Sequence, residues 1–212
     1  MGKISKGILG GFSGTVGTVI GGSWKGIDYM RSQPARRTRR SSEAQLQQQA
    51  KFALAIKFVQ TMAGLFMISF RNNAVRMTGT NNAQAYTLKN CITGVYPAYT
   101  IDYSRVLVSR GDLPNGGNPA SAAQPAGIVR FSWVDNSGVG RALPTDKAIL
   151  VVYCPADNAA LYTTGSAARS ALLDDMDASI FTGKQVETYL GFISEDGKEI
   201  AQSFYTGTLT VL

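Results

Sequence analysis

The sequence predicts an α+β protein: an N-terminal extended arm, a hydrophobic helical segment, and then an antiparallel β-sandwich. Three observations predict it. Eight glycines among residues 7–26 alternate with β-branched residues, which disfavours helix there. Apolar residues then recur at spacings of three and four up to about residue 70. From about Tyr96 the period falls to two, and turn residues separate short β-branched runs.

The arm contains "GILGGFSGTVGTVIGGSWKG", Gly7 to Gly26. A phosphate-binding P-loop needs Gly-Lys-[Ser/Thr], but Lys25 is followed by Gly26. No G-x-G-x-x-G joins a strand to a helix, so a dinucleotide fingerprint is missing too. Lys3 and Lys6 precede an uncharged run, as in a signal peptide. Six glycines from Gly10 to Gly22 weaken a hydrophobic helix, and no small-x-small cleavage site follows. Lys6 stands where N-myristoylation needs Ser or Thr. What remains is an extended arm, ordered against the body of the protein or a neighbouring copy. Thr15, Val16, Thr18, Val19 and Ile20 favour strand, and the "GTVGTV" repeat spaces small residues where another backbone can approach. The expected subunit contacts are Phe12, Val16, Val19, Ile20, Trp24 and Tyr29, with Trp24 and Tyr29 as anchors for a pocket.

A basic connector follows, "RSQPARRTRRSSE", Arg31 to Glu43. Residues 1–60 carry ten Lys/Arg against two acids, whereas residues 61–212 carry eleven against twelve. The whole basic excess is therefore N-terminal, which suits a polyanion. Arg31, Arg36, Arg37, Arg39 and Arg40 are the expected polyanion contacts. The expected partner is non-specific nucleic acid, bound by phosphate neutralisation, or an acidic surface on a neighbour; the alternative reading is a solvated linker. Asp174, Asp175 and Asp177 in "LLDDMDAS" offer such a surface and read as a solvated loop. Their spacing is not that of an EF-hand.

Ser41 or Ser42 can cap a helix in which Leu46, Ala50, Ala53, Leu54, Val59 and Met62 form the buried face. From Phe52 onward apolar residues cover most of the circumference, so burial on more than one side is expected. Only thirteen uncharged residues separate Lys57 from Arg71, short of the roughly 20 that span a bilayer, so a packed helix is expected. A second helix through "TNNAQAYTLKNCI" is expected to be capped near Thr80 or Asn81.

In the C-terminal half "YTIDYSRVLVSRGDLP" alternates and reads as strand. "GIVRFSWVDNSG" is a strand entering a turn, with Trp133 in the core. "KAILVVYCP" is an unbroken apolar run, expected of a strand buried on both faces or in a sandwich core. "QVETYLGFISEDGKEI" is a strand, an Asp-Gly turn and the start of another, and "SFYTGTLTVL" closes the chain. Gly111–Gly127 reads as a long loop. Five to seven strands without an intervening long helix predict a sandwich of the immunoglobulin or fibronectin type. The expected division is 1–41 (arm and connector), 42–92 (helical) and 93–212 (sandwich).

The 212 residues contain no histidine, which removes His bases, His-dependent triads and His metal ligands. Cys91 and Cys154 form no short-spaced pair and no disulfide framework. No serine lies in G-x-S-x-G. No catalytic residue, cofactor site or metal site is expected, nor a small-molecule substrate. Charged residues make up only 17%, below the roughly 25% of ordinary soluble domains, which favours self-association.

The segments "MGKISKGILGGFSGTVG", "GSWKGIDYMRS", "LKNCITGVYPAYTIDYSRVLVSRGDLP", "FSWVDNSG", "DKAILVVY" and "GFISEDGKE" together resemble a family of uncharacterised bacterial proteins of about this length, found in Bacteroidota. The resemblance covers nearly the whole chain and carries over no activity or site residue. It implies that arm and sandwich belong to one design, and that the chain begins at the arm without a cleaved leader.

These observations make the expected function a non-enzymatic, self-assembling structural protein, shell- or capsid-like or filament-like. Its arm would contact neighbouring copies, giving a homo-oligomer or larger assembly. The alternatives are a non-specific nucleic-acid-binding protein working through the Arg-rich segment and an exported cell-surface adhesion module. The expected location is the cytoplasm or an assembled particle.

Overall fold

The computed structural model describes residues 2–4, 7, 10–34, 41–72, 74 and 76–212. The chain falls into two compact units, Met1–Ser42 and Glu43–Leu212. In the first, the glycine-rich stretch forms four strands: β1 (Lys3–Ile4), β2 (Phe12–Val16), β3 (Val19–Trp24) and β4 (Ile27–Ser32). Each pairs antiparallel with the next. The arm is extended, as its residues dictate, and its strands satisfy one another's backbone groups.

The second unit opens with three helices, α1 (Glu43–Thr61), α2 (Ala63–Ser69) and α3 (Gly79–Asn90). The buried stripe of α1 is Ala55, Phe58 and Val59, continued by Met62. Its first three turns contribute no buried residue, and Leu46, Phe52 and Ala53 are exposed. Of the face read from the sequence, Val59 and Met62 are buried and Ala50 and Leu54 half-buried; Leu46 and Ala53 are the correction, because the first turns have little packed against them. At Met62 the axis bends by 86° into α2. No single helix among the described residues is long and apolar enough to cross a membrane, and α1 and α2 reach that length only as this bent pair. Thr78, not Thr80 or Asn81, caps α3; its hydroxyl accepts the Asn81 N–H at 3.2 Å.

A hairpin of β5 (Ile92–Val95) and β6 (Ala98–Ile101) follows. Seven strands then build the sandwich: β7 (Gly117–Gln124), β8 (Ile128–Val134), β9 (Lys147–Cys154), β10 (Ala159–Tyr162), β11 (Leu173–Asp177), β12 (Gln185–Ile193) and β13 (Phe204–Thr210). One sheet runs β11-β8-β7 and the other β10-β9-β12-β13, all antiparallel. The chain changes sheet between β8 and β9, between β10 and β11, and between β11 and β12. This is the immunoglobulin/fibronectin sandwich that the strand pattern predicts.

The two sheets have different sequence signatures for a physical reason. On β8, Val129, Phe131 and Trp133 are buried, whereas Arg130 and Val134 are exposed. One face of that sheet meets the core and the other meets water. On β9 every residue after Lys147 is buried. Ala148, Leu150, Val152 and Cys154 enter the sandwich core, with Phe131, Trp133, Met176, Leu190 and Phe192. Ile149, Val151 and Tyr153 enter a second core, with Phe58, Met62, Leu65, Phe66 and Phe70 of the helical segment. On β12, Tyr189 and Ile193 join the helical core, and Val186, Leu190 and Phe192 join the sandwich core. The helices therefore form a third layer, and the residues before and after position 92 share one core.

Three further segments differ from the sequence reading. The stretch after β6 is not a strand. Val106 and Val108 are buried, but hydroxyls replace the ladder: the Val108 and Ser109 N–H groups donate to Ser203 Oγ at 2.9 and 3.3 Å. Ser69 Oγ of α2 donates to the Val108 carbonyl at 2.7 Å. The expected loop Gly111–Gly127 contains edge strand β7, whose Ala, Ser, Gly and Pro residues carry little β-propensity. Pro119 sits where the register with β8 shifts, at an edge where its missing N–H costs no ladder bond. The acidic "LLDDMDAS" holds edge strand β11 rather than a loop. Met176 enters the core, while Asp175 takes both Nε and Nη2 of Arg130 at 2.7 Å. Charges facing water on an edge strand also discourage edge-to-edge pairing.

One buried ion pair ties the loops at one end of the sandwich. Arg169 is fully buried, and its Nη2 lies 3.1 Å from Asp146 Oδ2. It also donates to Asn136 Oδ1 (2.6 Å) and to the Pro114 carbonyl (2.8 Å). The guanidinium lies 4.2 Å from the Phe192 ring, and the Arg169 carbonyl accepts Trp133 Nε1–H at 2.7 Å. Three separate loops, those holding Pro114, Asn136 with Asp146, and Arg169 itself, thus share one side chain. Arg169→Ala would strand Asp146 as an unpaired buried charge, at a cost of about 3–5 kcal/mol. The double variant Arg169→Met/Asp146→Leu should lose less, because no orphan charge remains. Urea midpoints of the two variants check both statements.

Candidate assembly surface

The register of the arm sorts its side chains onto two faces. Val16 pairs with Val19, Gly14 with Gly21, Gly21 with Met30, and Ile4 with Phe12. One face therefore carries Ile4, Phe12, Val16, Val19 and Met30. These five side chains and Gly2 line a shallow apolar depression of about 370 Å³. The opposite face carries Ile20, Trp24, Ile27 and Tyr29, since Ile20 pairs with Arg31, Gly22 with Tyr29 and Trp24 with Ile27.

Two glycines make this arrangement possible. A Cβ at Gly21 would lie 2.1 Å from the Phe12 carbonyl oxygen and 2.7 Å from the Phe12 ring, so that ring lies against bare backbone. On the other face the Tyr29 ring lies over Gly22 in the same way. The β3–β4 turn is Lys25-Gly26, with φ of 50° and 81°. Two positive φ angles are what a tight hairpin turn matching the strand twist requires.

The six residues expected as subunit contacts divide three to each face: Phe12, Val16 and Val19 on one, Ile20, Trp24 and Tyr29 on the other. Phe12 and Ile20 are half-buried and the rest are exposed. Trp24 is 55% exposed and Tyr29 48%, so the arm's own strands cover neither anchor. The sequence reading missed Ile4, Ile27 and Met30, which are the most exposed of all at 59%, 70% and 72%. The alternation of Ile27 and Tyr29 with Asp28 was the available signal for Ile27; Met30 shares the Asp28 face and breaks that pattern. Of the expected polyanion contacts, Arg31 is exposed on β4; Arg36, Arg37, Arg39 and Arg40 lie outside the described residues. The acidic residues offered as their counterpart have partners nearby: Asp174 accepts the Ala167 N–H, Asp175 holds Arg130, and Asp177 accepts the Ser179 N–H.

Elsewhere the chemistry is quiet. Both thiols are buried. Burial pushes Cys91 up to about 12, so it stays protonated, and it donates to the Arg105 carbonyl. Burial also raises the Tyr189 hydroxyl, which donates to the Tyr103 carbonyl at 2.9 Å. Among the described residues no three Cys, Asp or Glu side chains converge as a metal would require.

Residues 11–207 match the model of DUF6266, a family of unknown function. The chain belongs to that family. The matched span includes β2–β4 as well as the helices and the sandwich, so arm and body form one DUF6266 unit of inheritance. A search of the curated proteins finds no match. Among solved structures, the fn3 domain of the human collagen alpha-1(XX) chain is similar at 14% identity, with a TM-score of 0.35. That alignment covers 49% of this chain and 88% of the collagen domain.

Gly21→Val tests the glycine argument directly. Its Cβ has no room beside Phe12, so the arm ladder should open, with loss of amide-exchange protection across residues 12–32. The urea midpoint of the 43–212 unit should stay within about 0.5 kcal/mol of the parent, because the atoms that a Cβ at Gly21 would strike belong to Phe12 of the arm itself.

Proposed function

We propose that this DUF6266 chain is a non-enzymatic structural subunit that self-assembles through its arm. One observation carries the reading: a single-layer, four-stranded sheet exposes large apolar side chains on both faces. A sheet of this size needs a packed face for stability, and exposed contiguous apolar surface marks an interaction site. The 43–212 unit has two packed cores of its own, and its exposed apolar side chains, such as Val95, Val139 and Ile180, surround a body that the arm lacks.

A second copy of the chain is the partner that this surface suits. The two faces differ in shape. One is a depression lined by Ile4, Phe12, Val16, Val19 and Met30, and the other is studded with Trp24, Ile27 and Tyr29. Docking the studded face of one copy on the depressed face of the next gives a heterologous contact. Such contacts close into rings or shells, or grow into filaments, according to the rotation between copies. The low charge content weakens repulsion between copies.

Size-exclusion chromatography with light scattering tests this. The parent chain should elute as an assembly. Val16→Asp/Met30→Asp on one face and Trp24→Asp/Ile27→Asp on the other should each reduce it to smaller species. A parent chain that remains monomeric at high concentration would refute the reading.

A further inference from the structure

We propose that a groove on the 43–212 unit binds a small saccharide bearing an anionic group, a uronic acid or a sugar phosphate. This inference stands on different residues from the assembly surface and does not depend on it. The groove lies between the last turn of α3, residues 104–107 and the start of β13, and encloses about 660 Å³. That is within the roughly 300–1,000 Å³ range of small-molecule sites.

Its lining has three parts. Lys89 and Arg105 supply positive charge. Asn90, Ser104 and Gln202 supply neutral polar groups, and Tyr86, Phe204 and Tyr205 supply rings. No carboxylate belongs to the lining. Two acids, Asp102 and Glu187, touch lining residues, and both are engaged. Asp102 accepts from Arg105 and from the Ser104 N–H and hydroxyl. Glu187 accepts the Tyr205 hydroxyl at 2.6 Å and the Thr208 hydroxyl at 2.9 Å.

Each cation is available to an incoming anion. Lys89 makes no ion pair among the described residues. The Arg105–Asp102 contact, at 3.2 Å, is a surface pair with the arginine side chain 67% exposed. Such a pair contributes little and exchanges readily for a ligand. The end of α3 would oppose an anion if its last carbonyls were bare. The Cys91 N–H takes one of the last four, that of Thr87, at 3.0 Å, and the Lys89 and Arg105 charges offset the partial negative charge of the others. Arg110 sits over the back of the Tyr86 ring, 5.7 Å from its centre, and adds positive potential.

The other lining groups select the rest of the ligand. Phe204 is 48% exposed and offers a ring against which the CH face of a sugar can lie. Asn90 Oδ1, the Gln202 amide and the Ser104 hydroxyl can bond to sugar hydroxyls as donors or acceptors.

Calorimetric titration of the full chain with glucuronate, glucose 6-phosphate, glucose and inorganic phosphate tests the site. At least one anionic sugar should bind in the micromolar-to-millimolar range, and glucose should bind at least about tenfold more weakly. The two anionic sugars distinguish the carboxylate from the phosphate source. Lys89→Gln, Arg105→Gln and Phe204→Ala should each weaken binding about tenfold. All three side chains are exposed; an unchanged thermal midpoint would confirm folding. In the parent chain the Asn90 and Gln202 side-chain amide resonances should move on titration, a readout that needs no variant. Absence of binding, equal affinity for glucose, phosphate alone binding as tightly as its sugar, or variants that bind like the parent would each overturn the proposal.

Discussion

Everything in the 43–212 unit depends on one constraint: the sheet containing β9 and β12 has no free face. Ile149, Val151 and Tyr153 must find the helices while Ala148, Leu150, Val152 and Cys154 find the second sheet. Shifting β9 by one residue would exchange these two sets between cores of different shape. Phe58 sits at 4.9 Å, edge-on, against Tyr153, and Trp133 at 5.4 Å, edge-on, against Phe192. The Phe58–Tyr153 contact would be lost in the exchange, and the two cores together hold one register. The helical segment is therefore part of the sandwich's foundation. Without it, Ile149, Val151, Tyr153 and Tyr189 would face water, at roughly 1.5–3 kcal/mol for each large side chain.

The same constraint explains the polar wiring around the cores. Once both faces of a sheet are covered, the segments that pass its ends are buried as well, and their backbone groups need partners. Ser69, Ser109 and Ser203 provide them between α2 and the chain before β13. Arg169 provides them at the loop end. The arm follows other rules. It holds its shape by backbone pairing and by rings laid on glycine, and it leaves its apolar side chains outside.

Much of this was legible in the sequence. The unbroken run in "KAILVVYC" and the alternation in "GIVRFSWV" announced strands with two covered faces and with one. What the run could not reveal was which layer covered its second face, because the covering residues lie some ninety positions earlier. Strands β7 and β11 were hidden because Pro, Gly, Ala and Asp are poor strand formers, and edge position rather than propensity places them there. The Arg169–Asp146 pair left no local trace, since its members are 23 residues apart. In the arm, the β-branched residues showed extended structure. The sorting of contacts onto two faces followed only from the strand register, and this register brought in Ile4, Ile27 and Met30.

The central claim is that the arm's apolar faces meet other copies. The chain has two tryptophans, and they report on it separately. Trp133 is 4% exposed in the sandwich, whereas Trp24 is 55% exposed on the arm. Any change of emission with concentration in the folded protein therefore comes from Trp24. The most direct measurement is tryptophan emission and iodide quenching across a dilution series. The account predicts blue-shifted, quencher-protected emission when concentrated and red-shifted, quenchable emission when dilute. Emission and quenching that stay constant across the series, with Trp24 always open to iodide, would contradict it.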